Sequence, residues 1–403
     1  MMSPRFARGL CAAAIVLCSA SASAEARVSY VQALALSKQR APGVAVARAT
    51  ERVAEADSRA GGLYPNPTVS AGTSTQTARL SVGASVPLLI LGQRGAALDA
   101  GRAELSVAKL DTQVSLAEVR AATGHAFIAL WLAEQTATAR AEAAGISHKL
   151  ETAVAGRVEL GAAPEIERLR ANADTLRADL DSRTAADFVD ATSTQLAAWI
   201  GVDFDQSLRV ADDPPVPNQL PTLEALRQQV GENPGVLRAT AEARASEARV
   251  ASERAQVRPL MTLDVGADLY DPTLPATNYR AQLAFEMPLF NQRGPLIERE
   301  QRRVAVARSQ ASAEHVRLSS ALIVAYRSFA ALTQQARTLA EGVVPAAVTA
   351  ARATEESYTL GRAPLVAVLD AERARIDAQL SLLESQAARA NAWVDVELAL
   401  GVQ

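Results

Sequence analysis

Leu160-Gly161-Ala162-Ala163-Pro164 and Leu360-Gly361-Arg362-Ala363-Pro364 stand 200 positions apart, each between Ala-rich stretches of helical spacing. The likeness runs on, with Leu169, Ala171, Ala178 and Leu180 answered by Leu369, Ala371, Ala378 and Leu380. A Gly that can take the left-handed conformation closes one helix, and Pro suits the first turn of the next. Each copy therefore predicts a reversal between two helices. Gly201-Val202 and Gly401-Val402 end the two halves alike, so the chain reads as an internal duplication.

The helices that meet at these turns are long. Ala100, Ala103, Val107, Leu110, Val114, Ala117, Ala121, Gly124, Ile128 and Trp131 recur at alternating spacings of three and four, a heptad stripe. One helix is expected from about Ala96 to Arg157, on the order of 90 Å at 1.5 Å per residue, too long for the interior of a compact domain. Gly124 costs roughly 1 kcal/mol of helix propensity, and its missing side chain would let a neighbouring helix approach. Glu165 to Ile200 forms the returning helix. In the second half the helical run goes from about Leu296 to Leu360, with a kink expected at Pro345, and the return ends near Gln403.

Ahead of each long helix the pattern repeats at an offset of 192, with Ala33-Leu34, Pro42-Gly43-Val44 and Pro67 answered by Ala225-Leu226, Pro234-Gly235-Val236 and Pro259. Tyr30 to Arg59 is helical with a break at Pro42-Gly43, and Gly61-Gly62 with Pro65-Asn66-Pro67 forces an extended exit. The period then changes to two. Val82, Ala84, Val86 and Leu88 alternate with Ser81, Gly83 and Ser85, with Val69 to Thr77 as hairpin partner. In the second half Leu263, Val265, Ala267 and Leu269 alternate with Asp264, Gly266 and Asp268. Tyr279, Ala281, Leu283, Phe285 and Met287 alternate with Arg280, Gln282 and Glu286. Strands of about ten residues with one apolar and one polar face suit a membrane barrel wall. Asp264, Asp268, Arg280 and Glu286 would then face its water-filled lumen.

The 403 residues allow two domains or one fold of two similar halves. We expect a first repeat over 25–211, a Pro-rich linker over 212–221 and a second repeat over 222–403. Charge is balanced, 41 basic against 44 acidic residues, which offers no nucleic-acid surface. Aromatics are only 4% of the chain, too few for a large conventional core, while abundant Ala suits closely packed helices. Residues 1–24 read as a signal peptide: Arg5 and Arg8, the apolar run Leu10 to Leu17, and Ala22-Ser23-Ala24 before Glu25. Cys11 and Cys18 would leave with it, and the bulky Leu17 argues against acylation of Cys18. No later stretch has ~18 uninterrupted apolar residues, so an exported chain of this kind is soluble or spans by strands.

The sequence has no phosphate-binding loop and no nucleophile elbow. His125, His148 and His315 are scattered along helices without ligand spacing. We expect no enzyme, no cofactor and no resident metal. His125 and His315 read as tolerated on a helical surface.

The order helix, hairpin, helix, helix, twice over, resembles the TolC-like outer-membrane efflux proteins. Leu63-Tyr64-Pro65-Asn66-Pro67, Pro288-Leu289-Phe290-Asn291-Gln292-Arg293-Gly294, Tyr358-Thr359-Leu360-Gly361 and Val368-Leu369-Asp370-Ala371 carry the resemblance over nearly the whole mature chain. Ile90-Leu91-Gly92-Gln93-Arg94-Gly95 is most similar to the CzcC-type heavy-metal branch. The resemblance implies a mainly α fold with a small β part. Three chains would each give four strands to a twelve-stranded barrel in outer-membrane lipid, and the long helices would form a hollow α-barrel across the periplasm. The homotrimer would be a passive exit duct, docked on a periplasmic adaptor and an inner-membrane pump of RND type. Leu160, Gly161, Pro164, Leu360, Gly361 and Pro364 would be its adaptor-contacting tips. Asp370 matches an acidic position that narrows the family's entrance, although Ala367 replaces a second Asp, and Glu167 is the nearest acidic match in the first repeat. Arg362 and Arg373 are the expected partners of Asp370. The copies differ, Glu165-Ile166-Glu167 against Leu365-Val366-Ala367, and this difference would supply the gate, with Asp370, Glu167, Arg362 and Arg373 as its residues. The competing reading is a periplasmic coiled-coil adaptor or scaffold, with one helical hairpin beside a β-rich flank.

Overall fold

The computed structural model describes residues 26–73, 79–202, 207–217, 221–270 and 277–403. The expected signal peptide, the tips of both strand pairs and part of the expected linker lie outside these residues. The first half runs β1 (Ala26–Val28), α1 (Tyr30–Arg40), α2 (Pro42–Ala60), β2 (Thr68–Gly72), β3 (Leu80–Leu88), α3 (Gln93–Glu159) and α4 (Glu165–Ile200). After β4 (Leu208–Val210) come α5 (Leu223–Gln229), α6 (Pro234–Ala255), β5 (Leu260–Leu269), β6 (Asn278–Glu286), α7 (Gly294–Thr338), α8 (Val344–Thr359) and α9 (Leu365–Leu400). Helix pair, strand pair and long helical hairpin therefore occur twice, as the duplicated turns predict.

Local chemistry accounts for the boundaries. Ser29 and Gln32 form a reciprocal capping box on α1, and Pro42 and Pro234 occupy the first turns of α2 and α6. At the two reversals Gly161 and Gly361 take φ of 71° and 70°. Ala162 N–H then donates to Arg157 O, and Arg362 N–H to Ser357 O, each at 2.8 Å, which satisfies carbonyls that the helix end leaves over. The irregularity expected at Pro345 is a π-helical turn over Leu339–Val343. Proline has no N–H for the carbonyl four residues back, and the wider turn re-routes the ladder around that loss.

Four strands form one antiparallel sheet in the order β2-β3-β5-β6, so the two hairpins join through β3 and β5. Met287, expected in the return strand, lies just beyond β6. A second, parallel pair joins β1 to β4. Three residues per strand are too few to show alternation, and the sequence reading missed both. Arg94 and Arg293 each stand in a Gln-Arg-Gly stretch at the start of a long helix, yet they are not equivalent in space. Gly92 is the left-handed residue that opens α3, whereas α7 opens on left-handed Arg293 itself. Arg94 lies inside α3 and donates from Nε to Gly62 O at 2.7 Å, while Arg293 pairs with Glu253 at 2.6 Å.

The core is divided along the helices. Tyr30, Phe127, Leu130, Leu196, Ile200 and Leu208 form one cluster, with Tyr30 edge-on to Phe127 at 5.3 Å. Leu226, Val230, Leu318, Leu322 and Val396 form its counterpart in the second half. Gly124 performs the role expected of it. A Cβ there would stand 3.0 Å from Tyr30 Oη and 3.2 Å from a Val394 methyl, so two elements close on α3 at that point. Asp212 and Asp213 of the expected linker are not free: Tyr30 N–H donates to Asp212 and Trp131 Nε1–H to Asp213, each at 2.9 Å.

Candidate functional site

Toward the reversals α3 packs on α4 and on α9, and α9 packs on α8, so four helices lie side by side with α4 and α8 at the two edges. The outer face of α4 leaves Leu169, Leu176, Leu180 and Phe188 more than half exposed, and α8 leaves Val348 exposed. The stripe on α4 has the extent of a surface that packs against something else.

Each reversal presents an exposed leucine, Leu160 at 85% and Leu360 at 67%, beside its left-handed glycine and exposed Pro164 or Pro364. Behind them the two turns are joined. Tyr358 is buried among Val154, Ala171, Leu365, Val368 and Leu369. Its hydroxyl donates to Glu167 Oε2 at 3.2 Å, and the Arg157 guanidinium lies 4.4 Å over its ring. Arg157 also donates to the Tyr358 carbonyl at 3.0 Å. Burial, and then the Glu167 charge, push the Tyr358 hydroxyl above its ordinary pKa, so it stays a donor throughout the neutral range. Glu167 is thus placed at the junction of the turns. Glu165 instead forks with Arg168 on the exposed face, which holds its carboxyl below the usual range.

Asp370 is exposed on α9, with Arg373 3.8 Å away. The stronger bond of Arg373 goes to Asp174 on α4, at 2.6 Å, so Arg373 bridges the two returning helices. Arg362, the other expected partner of Asp370, makes no side-chain ion pair among the described residues. Its position in the turn holds it by the backbone N–H alone. A further pair, Arg140 of α3 with Asp181 of α4 at 3.1 Å, lies along the same groove.

Sheet register settles the faces. Reading across β2-β3-β5-β6, the rows are Thr68–Ser85–Asp264–Gln282, Ser70–Gly83–Gly266–Arg280 and Gly72–Ser81–Asp268–Asn278. Side chains alternate along a strand, so all of these share one face. Glu286, opposite Leu260, shares it too. The other face carries Val69, Val82, Val265, Leu283 and Phe285, all exposed. Asp268 accepts from Ser81 Oγ at 2.8 Å and pairs with Arg280 at 3.3 Å.

One site escaped the sequence reading. His125 does not sit idly on a helix: its Nδ1 lies 2.8 Å from Asn391 Oδ1 and its Nε2 3.1 Å from Asp395 Oδ1, tying α3 to α9. Both ring nitrogens face oxygen acceptors, an arrangement that the imidazolium satisfies. The hydrogen bond to Asp395 raises its pKa, burial opposes this, and the Asn391 contact adds to the rise. His148 likewise reaches Asp179 at 3.0 Å. No group of three or more metal-ligating side chains occurs among the described residues, and none of their helices is long and apolar enough to cross a membrane.

Comparison with known proteins agrees with this architecture. Residues 225–402 match the family model described as Outer membrane efflux protein. The cobalt-zinc-cadmium resistance protein CzcC of Cupriavidus metallidurans is 23% identical over 341 residues, 82% of this chain and 80% of that protein. The outer membrane protein VceC of Vibrio cholerae superposes with a TM-score of 0.77 at 17% identity, over 92% of this chain and 96% of that one. CusC, solved in a study of its folding and transmembrane channel formation, superposes at 0.74 with 16% identity, over 92% and 91%. The fold is therefore that of the TolC-like channels, a helical barrel joined to a β-barrel.

Proposed function

We propose that this chain, which carries the outer membrane efflux protein domain and the TolC-like fold, acts as a homotrimeric exit duct of a tripartite efflux system. The single observation that carries the reading is the sheet register. Four strands from two distant hairpins place Asp264, Asp268, Arg280 and Glu286 on one face and exposed Val265, Leu283 and Phe285 on the other. A sheet with water on one side and lipid on the other is what a barrel wall needs. Its two edges, like the exposed apolar edges of α4 and α8, are closed by neighbouring copies.

The tips Leu160-Gly161 and Leu360-Gly361 then form a ring of six around the periplasmic entrance, and adaptor docking there is supported by their exposure. Asp370 would ring the mouth three times over, with Glu167 held back by Tyr358, so the second turn supplies the charge of the gate. Heavy-metal cations are the cargo class favoured by the likeness to CzcC. The adaptor-like alternative expects one helical hairpin, whereas the chain has two hairpins and two strand pairs.

Membrane fractionation followed by planar-bilayer recording tests the proposal. Outer-membrane recovery as a trimer with channel conductance is the expected result. A soluble periplasmic product without conductance would defeat it.

A further inference from the structure

The polar face of the sheet holds an arrangement that water exposure alone does not require. Arg280 stands opposite Gly266, and Gly266 stands opposite Gly83. A Cβ on Gly266 would lie 3.6 Å from the Gly83 Cα and 3.7 Å from Arg280 Nη2. Two facing glycines thus leave a bare floor between strands, and the Arg280 side chain lies over it. The depression encloses about 220 Å³ of open space and is bordered by Ser70, Ser85, Asp264 and Gln282.

Asp264 and Asp268 sit two residues to either side of Gly266, so they occupy the two diagonals open to Arg280. Only one is taken. Arg280 covers Asp268, whose side chain is 14% exposed, while Arg280 itself is 61% exposed. Asp264 makes no ion pair among the described residues, and neither does Glu286. The face therefore offers the pore two uncompensated carboxylates per chain and one that is masked.

We infer that Arg280 is the specificity-determining residue of the barrel, a cationic arm on a glycine floor that masks Asp268 and so sets how strongly the pore prefers cations over anions. This rests on the trimeric channel reading. Removing the arm uncovers three carboxylates around the pore. At about 10 Å from the axis and ~0.1 M salt, three such charges raise the cation-to-anion ratio roughly fourfold.

The test is the reversal potential of the full-length protein in planar bilayers under a KCl gradient. Wild type is expected to favour K⁺. Arg280→Ser and Arg280→Gln should each raise the K⁺/Cl⁻ permeability ratio about fourfold. Asp268→Asn should lower it by a similar factor, and Arg280→Lys should restore the wild-type value. Conducting Arg280→Ser or Arg280→Gln channels with the wild-type reversal potential would overturn the inference while leaving the channel reading intact. A wild-type protein that makes no channels would overturn both.

Discussion

Tyr358 joins the two turns, and its removal should uncouple them. The residue is 3% exposed in a cluster that includes Val154 of α3, Ala171 of α4 and Leu369 of α9, and its hydroxyl donates to Glu167 at the start of α4. Tyr358→Phe keeps the ring and loses one hydrogen bond to a carboxylate. Glu167 is half-exposed, so the low end of the usual range applies, about 1.5 kcal/mol. Tyr358→Ala also empties the space under Arg157 and should cost about 4 kcal/mol. Because the contact is local, amide hydrogen exchange is the proper assay. In the first turns of α4, around Glu167 to Ala171, exchange should speed up roughly tenfold in Tyr358→Phe and on the order of a thousandfold in Tyr358→Ala. Unchanged protection of those amides in Tyr358→Ala would show that the turns open independently, and the argument for one coupled entrance would fail.

His125 should confer a pH-dependent link between α3 and α9. Its folded pKa is raised by Asp395, so this contribution is fully present below the unfolded value of about 6.5 and fades as pH rises through the higher folded value. Thermal midpoints of wild type should fall between about pH 6 and pH 8 by more than those of His125→Gln; parallel curves would refute this. The left-handed glycines separate strain from crowding. Gly161→Ala meets no atom within 4 Å and should cost only the conformational strain, about 1–2 kcal/mol. Gly201→Ala has the same hand but places Cβ 2.8 Å from Arg40 O, so circular-dichroism melting should show it the less stable of the two. Asp370→Asn should leave stability nearly unchanged, since its exposed contact with Arg373 is long. The same variant should weaken block by divalent cations in single-channel recordings, and undiminished block would remove Asp370 from the gate.

The sequence alone determined whatever depends on near neighbours along the chain. Gly161-Ala162-Ala163-Pro164 and its copy specify their reversals because a left-handed glycine and a helix-starting proline act within a few residues. The alternation of Ser81 to Leu88 and of Leu263 to Leu269 specifies strands with two unlike faces for the same reason, and the heptad stripe from Ala100 to Trp131 specifies a long packed helix. Tertiary structure decided which of these elements touch. Only the β3–β5 register, together with that of β5–β6, brings Gly83, Gly266 and Arg280 into one row. Only the packing of α3 on α9 turns His125 from a solitary helical residue into a bridge to Asn391 and Asp395. Arg373 reaches Asp174 across 199 positions rather than closing on Asp370, three residues away, because the 2.6 Å bond to a mostly covered carboxylate outweighs a long contact in open solvent. Contacts of this kind join residues far apart in the chain, and they exist only once helices and strands have docked.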